Sequence, residues 1–176
     1  MELEWKKISG HDGKYEISNT GLIRSLWRSE PKILRTYTSI YGYVTIRLRV
    51  PGGYKGYYLH RLVVNAFLGN VPDGMQIDHI DRDKLNNNLS NLRIVTNLDN
   101  RFNTDKYTKR TYSSKYKGVC RKARDRRWTA TIKINYKNIH LGMFDTEKEA
   151  AEAYNQAALK YSPHALLNNI SEEIQN

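Results

Sequence analysis

Residues 76–103 read QIDHIDRDKLNNNLSNLRIVTNLDNRFN. The opening QIDH alternates apolar and polar, which predicts a strand running into a loop crowded with Asp and Asn. LRIVT (92–96) predicts the returning strand, and NLDNRFN (97–103) opens a helix that Thr96 or Asn97 can cap. In a strand–loop–strand–helix unit, Asn100 on the first helical turn can face back toward Asp78 and His79. Asn91 stands just before the second strand, where its amide can bridge backbone groups of the loop. The run Asn86-Asn87-Asn88 reads as a turn.

Toward the N-terminus, YGYVTIRLRV (41–50) and YKGYYLHRLV (54–63) flank the turn Pro51-Gly52-Gly53. Val44, Ile46, Leu48 and Val50 alternate with Tyr43, Thr45, Arg47 and Arg49, as in a half-buried hairpin. From Leu59 the apolar spacing widens to three and four residues, through Leu62, Val63, Ala66 and Phe67. That predicts a short helix over 60–68 ending at Gly69. His60, at its start, reads as a packing or capping histidine. Residues 5–26 predict three short strands (5–8, 15–18 and 22–26) parted by a Gly10–Gly13 turn and an Asn19-Thr20-Gly21 turn.

Toward the C-terminus, residues 104–118 hold almost no aliphatic side chains and predict an extended basic linker. Strands follow at 116–122, 127–135 and 138–144. Trp128, Ala130, Ile132 and Ile134 share one face of the second; Arg127, Thr129, Thr131 and Lys133 share the other. Thr146 with Glu149 forms a capping box. Ala150, Ala151, Tyr154, Ala157, Ala158 and Tyr161 then recur at helical spacing, and Pro163 stops the helix.

Bulk composition restricts the function classes. Of 176 residues, 39% are hydrophobic, and the mean hydropathy is −0.72, which favours small modules over one large core. No run approaches the roughly 18–20 apolar residues of a membrane span, and MELEWKKISG is not a signal peptide, so an intracellular, soluble protein is expected. One cysteine, Cys120, excludes a disulfide framework and a Cys-rich zinc knuckle; it is expected in an inert packing or interface role. Five scattered histidines argue against a His-only zinc site. Net charge is +11 and unevenly placed: +4 over residues 1–100, +11 over 101–137 and −4 over 138–176. So concentrated a basic block, with aromatics interleaved, predicts a polyanionic partner.

The Asp, His and Asn residues of 76–103 suit one chemistry. Phosphodiester hydrolysis needs an activated water, stabilisation of charge on the phosphate and help for the departing oxygen. A neutral imidazole, here His79, can take the water's proton. Asp78 and the Asn100 amide oxygen can offer hard oxygen ligands to Mg²⁺, which keeps several waters of its own.

In order and spacing the pattern DH…D…NN…SNLR.VT…N resembles the HNH endonucleases of the ββα-metal fold, in particular the phage and intron homing type. The resemblance implies His79 as general base, Asp78 and Asn100 as ligands of one Mg²⁺ (Mn²⁺ substituting, no zinc), and Asn91 as the residue ordering the catalytic loop. Residues 5–26, W..I.G..G.Y.ISN.G.IRS, look like the small module that precedes such nucleases. YKGV (116–119), Trp128, Ala130, Ile132, LG.FDT (141–146) and EAA.AYN.AALKY (149–161) are similar to the Apetala-two, or ethylene-response-factor, DNA-binding domain. Cys120 departs from that pattern, which usually has arginine there. The implied fold class is α+β: small antiparallel β modules, a ββα-metal nuclease core, then a three-stranded antiparallel sheet packed on one helix. The implied division is a nuclease-associated module (1–58), nuclease core (59–103), basic linker (104–113), DNA-binding domain (114–168) and tail (169–176).

In the last domain the resemblance implies that the sheet, rather than a helix, enters the major groove of double-stranded DNA. The expected DNA contacts are Arg101; Lys106, Lys109 and Arg110 in the linker; Lys115 and Lys117 at phosphates; and Arg121, Lys122, Arg124, Arg127, Thr129, Thr131 and Lys133 on the ribbon. One nuclease motif predicts a monomer that nicks one strand, needs no protein partner, and acts in the cytoplasm of a phage-infected bacterial host. A non-catalytic sequence-specific DNA-binding regulator on the same fold is the alternative. An RNA-binding role suits the outward Arg/Thr ribbon less well, because the A-form major groove is too narrow for it.

Overall fold

The computed structural model describes residues 2–104 and 113–170. The chain divides after Thr96 into two units, each built of short antiparallel strands and few helices, so the class is α+β. Among the described residues no helix is long and apolar enough to cross a membrane.

In the first unit β1 (Trp5–Lys7), β2 (Tyr15–Ser18), β3 (Ile23–Ser25) and β4 (Lys32–Ile33) form a sheet in chain order. A second sheet holds β5 (Tyr37–Thr38), β6 (Val44–Val50) and β7 (Gly53–Tyr58). Helix α1 (Leu59–Phe67) follows directly, and β8 (Met75–His79) pairs with β9 (Leu92–Thr96), which coincides with the expected strand. A 3₁₀ turn, Leu89–Asn91, leads into β9. The two-residue strands β4 and β5 have no periodicity to betray them, and the sequence reading missed both.

One core serves this whole unit. Ile17 and Ile23 from the first sheet, Ile46 and Leu48 from the second, Leu59, Val63 and Val64 from α1, and Leu92 from β9 are buried together. Each such side chain contributes roughly 1.5–3 kcal/mol when fully buried. Residues 1–58 and 59–96 therefore share an interior, within the compact unit that ends at Thr96.

The second unit starts with α2 (Asn97–Phe102) and continues with β10 (Val119–Cys120), β11 (Trp128–Ile134), β12 (Lys137–Phe144) and α3 (Glu147–Tyr161). Ala130, Ile132 and Ile134 on β11 meet Ala150, Ala151, Tyr154, Ala157 and Ala158 of α3, and Phe102 of α2 joins the same interior. The alanines let α3 lie close to the sheet. Its capping box forms as expected: Thr146 Oγ1 accepts from Glu149 N–H at 3.2 Å and Glu149 Oε2 from Thr146 N–H at 3.0 Å.

Two expectations here are corrected. The strand expected over 116–122 contracts to two residues. Gly118 ahead of it has φ +76°, and the chain turns beyond it, with Asp125 N–H on Lys122 C=O. Cys120 is exposed rather than packed, because strand alternation turns it away from buried Val119, opposite Thr129.

Candidate nuclease site and basic surfaces

Asp78 and His79 end β8, each about 6% exposed, but their side chains engage different partners. Strand register sets Asp78 opposite Arg93, whose Nη2 and Nε both donate to Asp78 Oδ2, at 2.6 and 2.9 Å. His79 Nε2 lies 3.4 Å from Asn87 Oδ1. The His60 ring meets the His79 ring edge-on, with centroids 5.3 Å apart, and Tyr43 tilts against both at 5.1 and 6.2 Å. His60 is buried, and among the described residues its Nδ1 finds no hydrogen-bond partner. Burial, then the neighbouring His79 and Arg61, lower its pKa to about 4, so His60 is uncharged at neutral pH.

The loop between β8 and the 3₁₀ turn is cross-braced by two side chains. Asn91 Oδ1 accepts from Asp81 N–H at 3.0 Å, while Asn91 Nδ2 donates to Asp81 Oδ1 and to Asn86 C=O, both at 2.8 Å. Asp81 Oδ1 also accepts from Asp83 N–H, and Oδ2 from Asn86 Nδ2. Desolvation opposes ionisation of Asp81, yet the Asn86 and Asn91 amides and the Asp83 N–H outweigh it and hold its carboxyl below the usual value. Asn91 thus anchors the loop ahead of β9. Asp81, Asn87 and Arg93 are partners the sequence reading did not single out; alternation across an expected hairpin could have suggested Arg93 only once the register was known.

Asn100 lies on α2, which belongs to the second unit. Among the described residues no three His, Cys, Asp or Glu side chains stand close enough to cage a metal. The donors at the β8 end that suit a cation are oxygens, led by the shielded Asp78 carboxylate, and hard oxygen donors fit Mg²⁺ or Mn²⁺.

The basic ribbon of the second unit is open. Lys122, Arg124, Arg127 and Lys133 are exposed, and Thr129 and Thr131 half-buried. A register shift between Ala130 and Thr131 sets Met143 opposite Thr129, His140 opposite Thr131 and Asn138 opposite Lys133. These three cross-strand neighbours join the outward face and were missed, since a one-residue shift cannot be read from composition. Arg121 lies over the Trp128 ring at 4.5 Å, and Arg101 over Tyr136 at 5.4 Å. Lys115 is exposed. Lys117 Nζ donates to the carbonyls of Phe102 at 3.1 Å and Thr104 at 2.8 Å, and reaches that of Arg101 at 3.5 Å. An ammonium so engaged holds the end of α2. Lys106, Lys109 and Arg110 lie outside the described residues.

A further basic surface, absent from the sequence reading, crosses the first unit. Trp27, half exposed, carries the Lys14 ammonium at 5.3 Å and the Arg49 guanidinium at 5.4 Å, beside a groove of about 740 Å³ that Tyr54 also lines. Arg35, Tyr37 and Arg47 line an adjoining groove of about 670 Å³ with the same Tyr54. Alternating cations and exposed rings of this kind suit phosphates and bases.

Comparison with known proteins matches three segments. Residues 57–102 match the HNH endonuclease family, 4–49 the NUMOD4 motif and 114–162 the AP2 domain. DNA endonuclease I-HmuI of Bacillus phage SP01 is 39% identical over 94 residues, 53% of each chain. The AP2-like ethylene-responsive transcription factor PLT2 of Arabidopsis thaliana is 47% identical over 51 residues, 28% of this chain and 9% of that one. A solved structure of DNA binding and cleavage by the HNH homing endonuclease I-HmuI is 40% identical, with a TM-score of 0.48 over 53% of this chain and 52% of that one. This chain spans about half the length of I-HmuI.

Proposed function

We propose that this chain is a site-directed DNA endonuclease of the homing type, hydrolysing a phosphodiester bond with one divalent cation and nicking one strand as a monomer. The observation that carries the reading is the pair Asp78–His79 at the end of β8, both shielded and each fixed by its own partner, Arg93 and Asn87. Similarity to HNH homing endonucleases and to AP2 transcription factors supports nucleic acid as the substrate class.

Asp78 presents a carboxylate whose Oδ2 is anchored by Arg93, and the sequence motif assigns the second oxygen ligand to the Asn100 amide. A bound Mg²⁺ or Mn²⁺ would polarise the scissile phosphate and stabilise the departing oxygen. His79 takes the proton from the attacking water. Asn91 and Asp81 keep the loop from sagging away from β8. The exposed cations of the ribbon, with those around Trp27 and Tyr54, hold the duplex.

The test is nicking of supercoiled plasmid by the full chain with Mg²⁺, with EDTA, and with His79→Ala. Nicked circles are expected with Mg²⁺ and none with EDTA. His79→Ala should slow nicking by about 10²-fold or more while DNA affinity stays near the parent's. Binding without cutting under every metal condition would leave a DNA-binding regulator. Loss of affinity together with cutting would make His79 structural.

A further inference from the structure

Along β11 the outward positions are Arg127, just ahead of the strand, then Thr129, Thr131 and Lys133. The inward ones, Ala130, Ile132 and Ile134, are buried in the core with α3 and give the ribbon a packed backing. Cations thus stand at both ends of the outward face, with threonines between them. At about 3.3 Å per residue, Arg127 and Lys133 lie about 20 Å apart along the chain. A major groove is about 12 Å wide, walled by phosphates and floored by base edges. A ribbon laid in it would set its end cations at the walls and the middle of β11 over the floor.

What lies in the middle is decided by the neighbouring strands. Cys120 of β10 is opposite Thr129 on one side, and Met143 of β12 is opposite it on the other. Met143 is 39% exposed, and Cys120 is exposed. Residues three apart on a regular strand face opposite ways, so Met143 and His140 could not share a face of an unbroken β12. The register shift between Ala130 and Thr131 brings them to the same face, His140 opposite Thr131. The centre of the ribbon is therefore one cross-strand row, Cys120–Thr129–Met143: a thiol, a methyl beside a hydroxyl, and a thioether.

Guanine is read by arginine or lysine, adenine by asparagine or glutamine, and cytosine by a carboxylate. The row holds none of these. Arg121, next to Cys120 in the chain, lies over the Trp128 ring at 4.5 Å, and Asn138 stands at the Lys133 end. A thioether adds nothing to a phosphate contact. The feature of the major groove that favours apolar side chains and the threonine methyl is the 5-methyl group of thymine. An unbranched, polarisable methionine adapts its shape to such a group.

We infer that the Cys120–Thr129–Met143 row reads thymine methyl groups, with Met143 and Thr129 carrying the preference, so that the second unit selects duplex sites with thymine beneath the centre of its ribbon. The inference rests on duplex DNA being the partner; it does not require that the chain cut it.

The experiment uses the full chain in EDTA, so that binding is read without cutting. Selection from a random duplex library gives the bound site, and synthetic duplexes of that site then carry uracil for thymine, one position at a time. The exchange removes only the 5-methyl group. At one or two positions it should weaken binding about 4-fold, the worth of one methyl withdrawn from water, and at the other thymines it should change nothing. Met143→Ala, and Thr129→Ser, which keeps the hydroxyl, should each narrow the thymine–uracil difference at those positions while melting near the parent's temperature. Equal binding of every uracil duplex would overturn the inference, as would a selection that returns no preferred sequence. A methyl effect that both variants keep in full would also overturn it, since other side chains would then be the readers. The wild-type comparison needs no substitution, so it decides the matter even if a variant fails to fold. A methyl effect without nicks in Mg²⁺ would remove the endonuclease reading and leave this one standing; nicks without a methyl effect would do the reverse.

Discussion

Arg93 sets two nitrogens on one oxygen of Asp78, Nη2 at 2.6 Å and Nε at 2.9 Å from Oδ2, across directly opposed positions of β8 and β9. The carboxylate side chain is 6% exposed and the guanidinium side chain 18%, so the pair is shielded from most of the screening that weakens surface ion pairs. A fork of donors on a single oxygen also fixes the plane of the carboxylate, which a lone ammonium would not.

Arg93→Ala should therefore leave a shielded anion uncompensated and destabilise the first unit by about 3 kcal/mol. Arg93→Lys should restore charge without the fork and recover only part of that. Urea unfolding of Asp78→Asn, Arg93→Ala and the double variant measures the coupling. Strictly additive losses would show the pair to be a bystander.

His60 makes stability depend on pH in a definite window. Its folded pKa is lowered from 6.5 to about 4 by burial, with the nearby His79 and Arg61 adding to the effect. The unfolded chain therefore binds the proton first as pH falls. Stability contributed by keeping His60 neutral is full above about pH 6.5, declines as pH drops through the unfolded value, and is gone below about pH 4. The span corresponds to a loss of at most about 3 kcal/mol. His60→Phe should flatten the stability profile between those limits, as read by thermal melts at stepped pH. An unchanged slope would mean that His60 already titrates normally in the fold.

Several features of the site were legible because they are local. LRIVT became β9 residue for residue, and Thr146 with Glu149 capped α3, since alternation and capping depend only on near neighbours. Asn91 was legible because its position before a strand at the end of an Asn-rich loop leaves its amide little else to bind. Arg93 on Asp78, Asn87 on His79 and Gly21 beneath Asn87 were not legible, as each needs a register or a fold-back between distant segments. The shared core of the first unit escaped for the same reason: Ile17, Ile46 and Leu92 read as three separate amphipathic patterns until they meet.

Lys117 and Lys133 are both cations of the second unit, but only one should matter for salt-dependent binding. Lys117 donates to the carbonyls at the end of α2, whereas Lys133 is exposed on β11. Lys117→Met should lower the stability of the unit by about 1–2 kcal/mol and leave the salt slope of DNA affinity unchanged. Lys133→Ala should leave stability alone and reduce that slope by about one. Fluorescence anisotropy on duplex DNA across a salt series, with thermal melts, separates them. A reduced slope for Lys117→Met would return that residue to the phosphate contacts.

Gly118 carries the most sensitive backbone position of the second unit's ribbon. Its φ of +76° already disfavours any side chain, and its C=O accepts from Thr131 N–H at 2.8 Å, beside the register shift of β11. A Cβ added there would overlap the Tyr154 ring of α3 and come within 2.6 Å of Thr131 O. Tyr154 is buried in the core and cannot swing out without vacating it, so neither neighbour can yield cheaply. Gly118→Ala should cost about 3 kcal/mol or more, from backbone strain and overpacking together. Pairing it with Tyr154→Leu, which removes the ring, should restore part of the loss even though Tyr154→Leu alone is destabilising. Circular dichroism melts of the four chains decide the matter: if Gly118→Ala melts within about a degree of the parent, the close approach of strand and helix at this glycine is not what holds the ribbon in place.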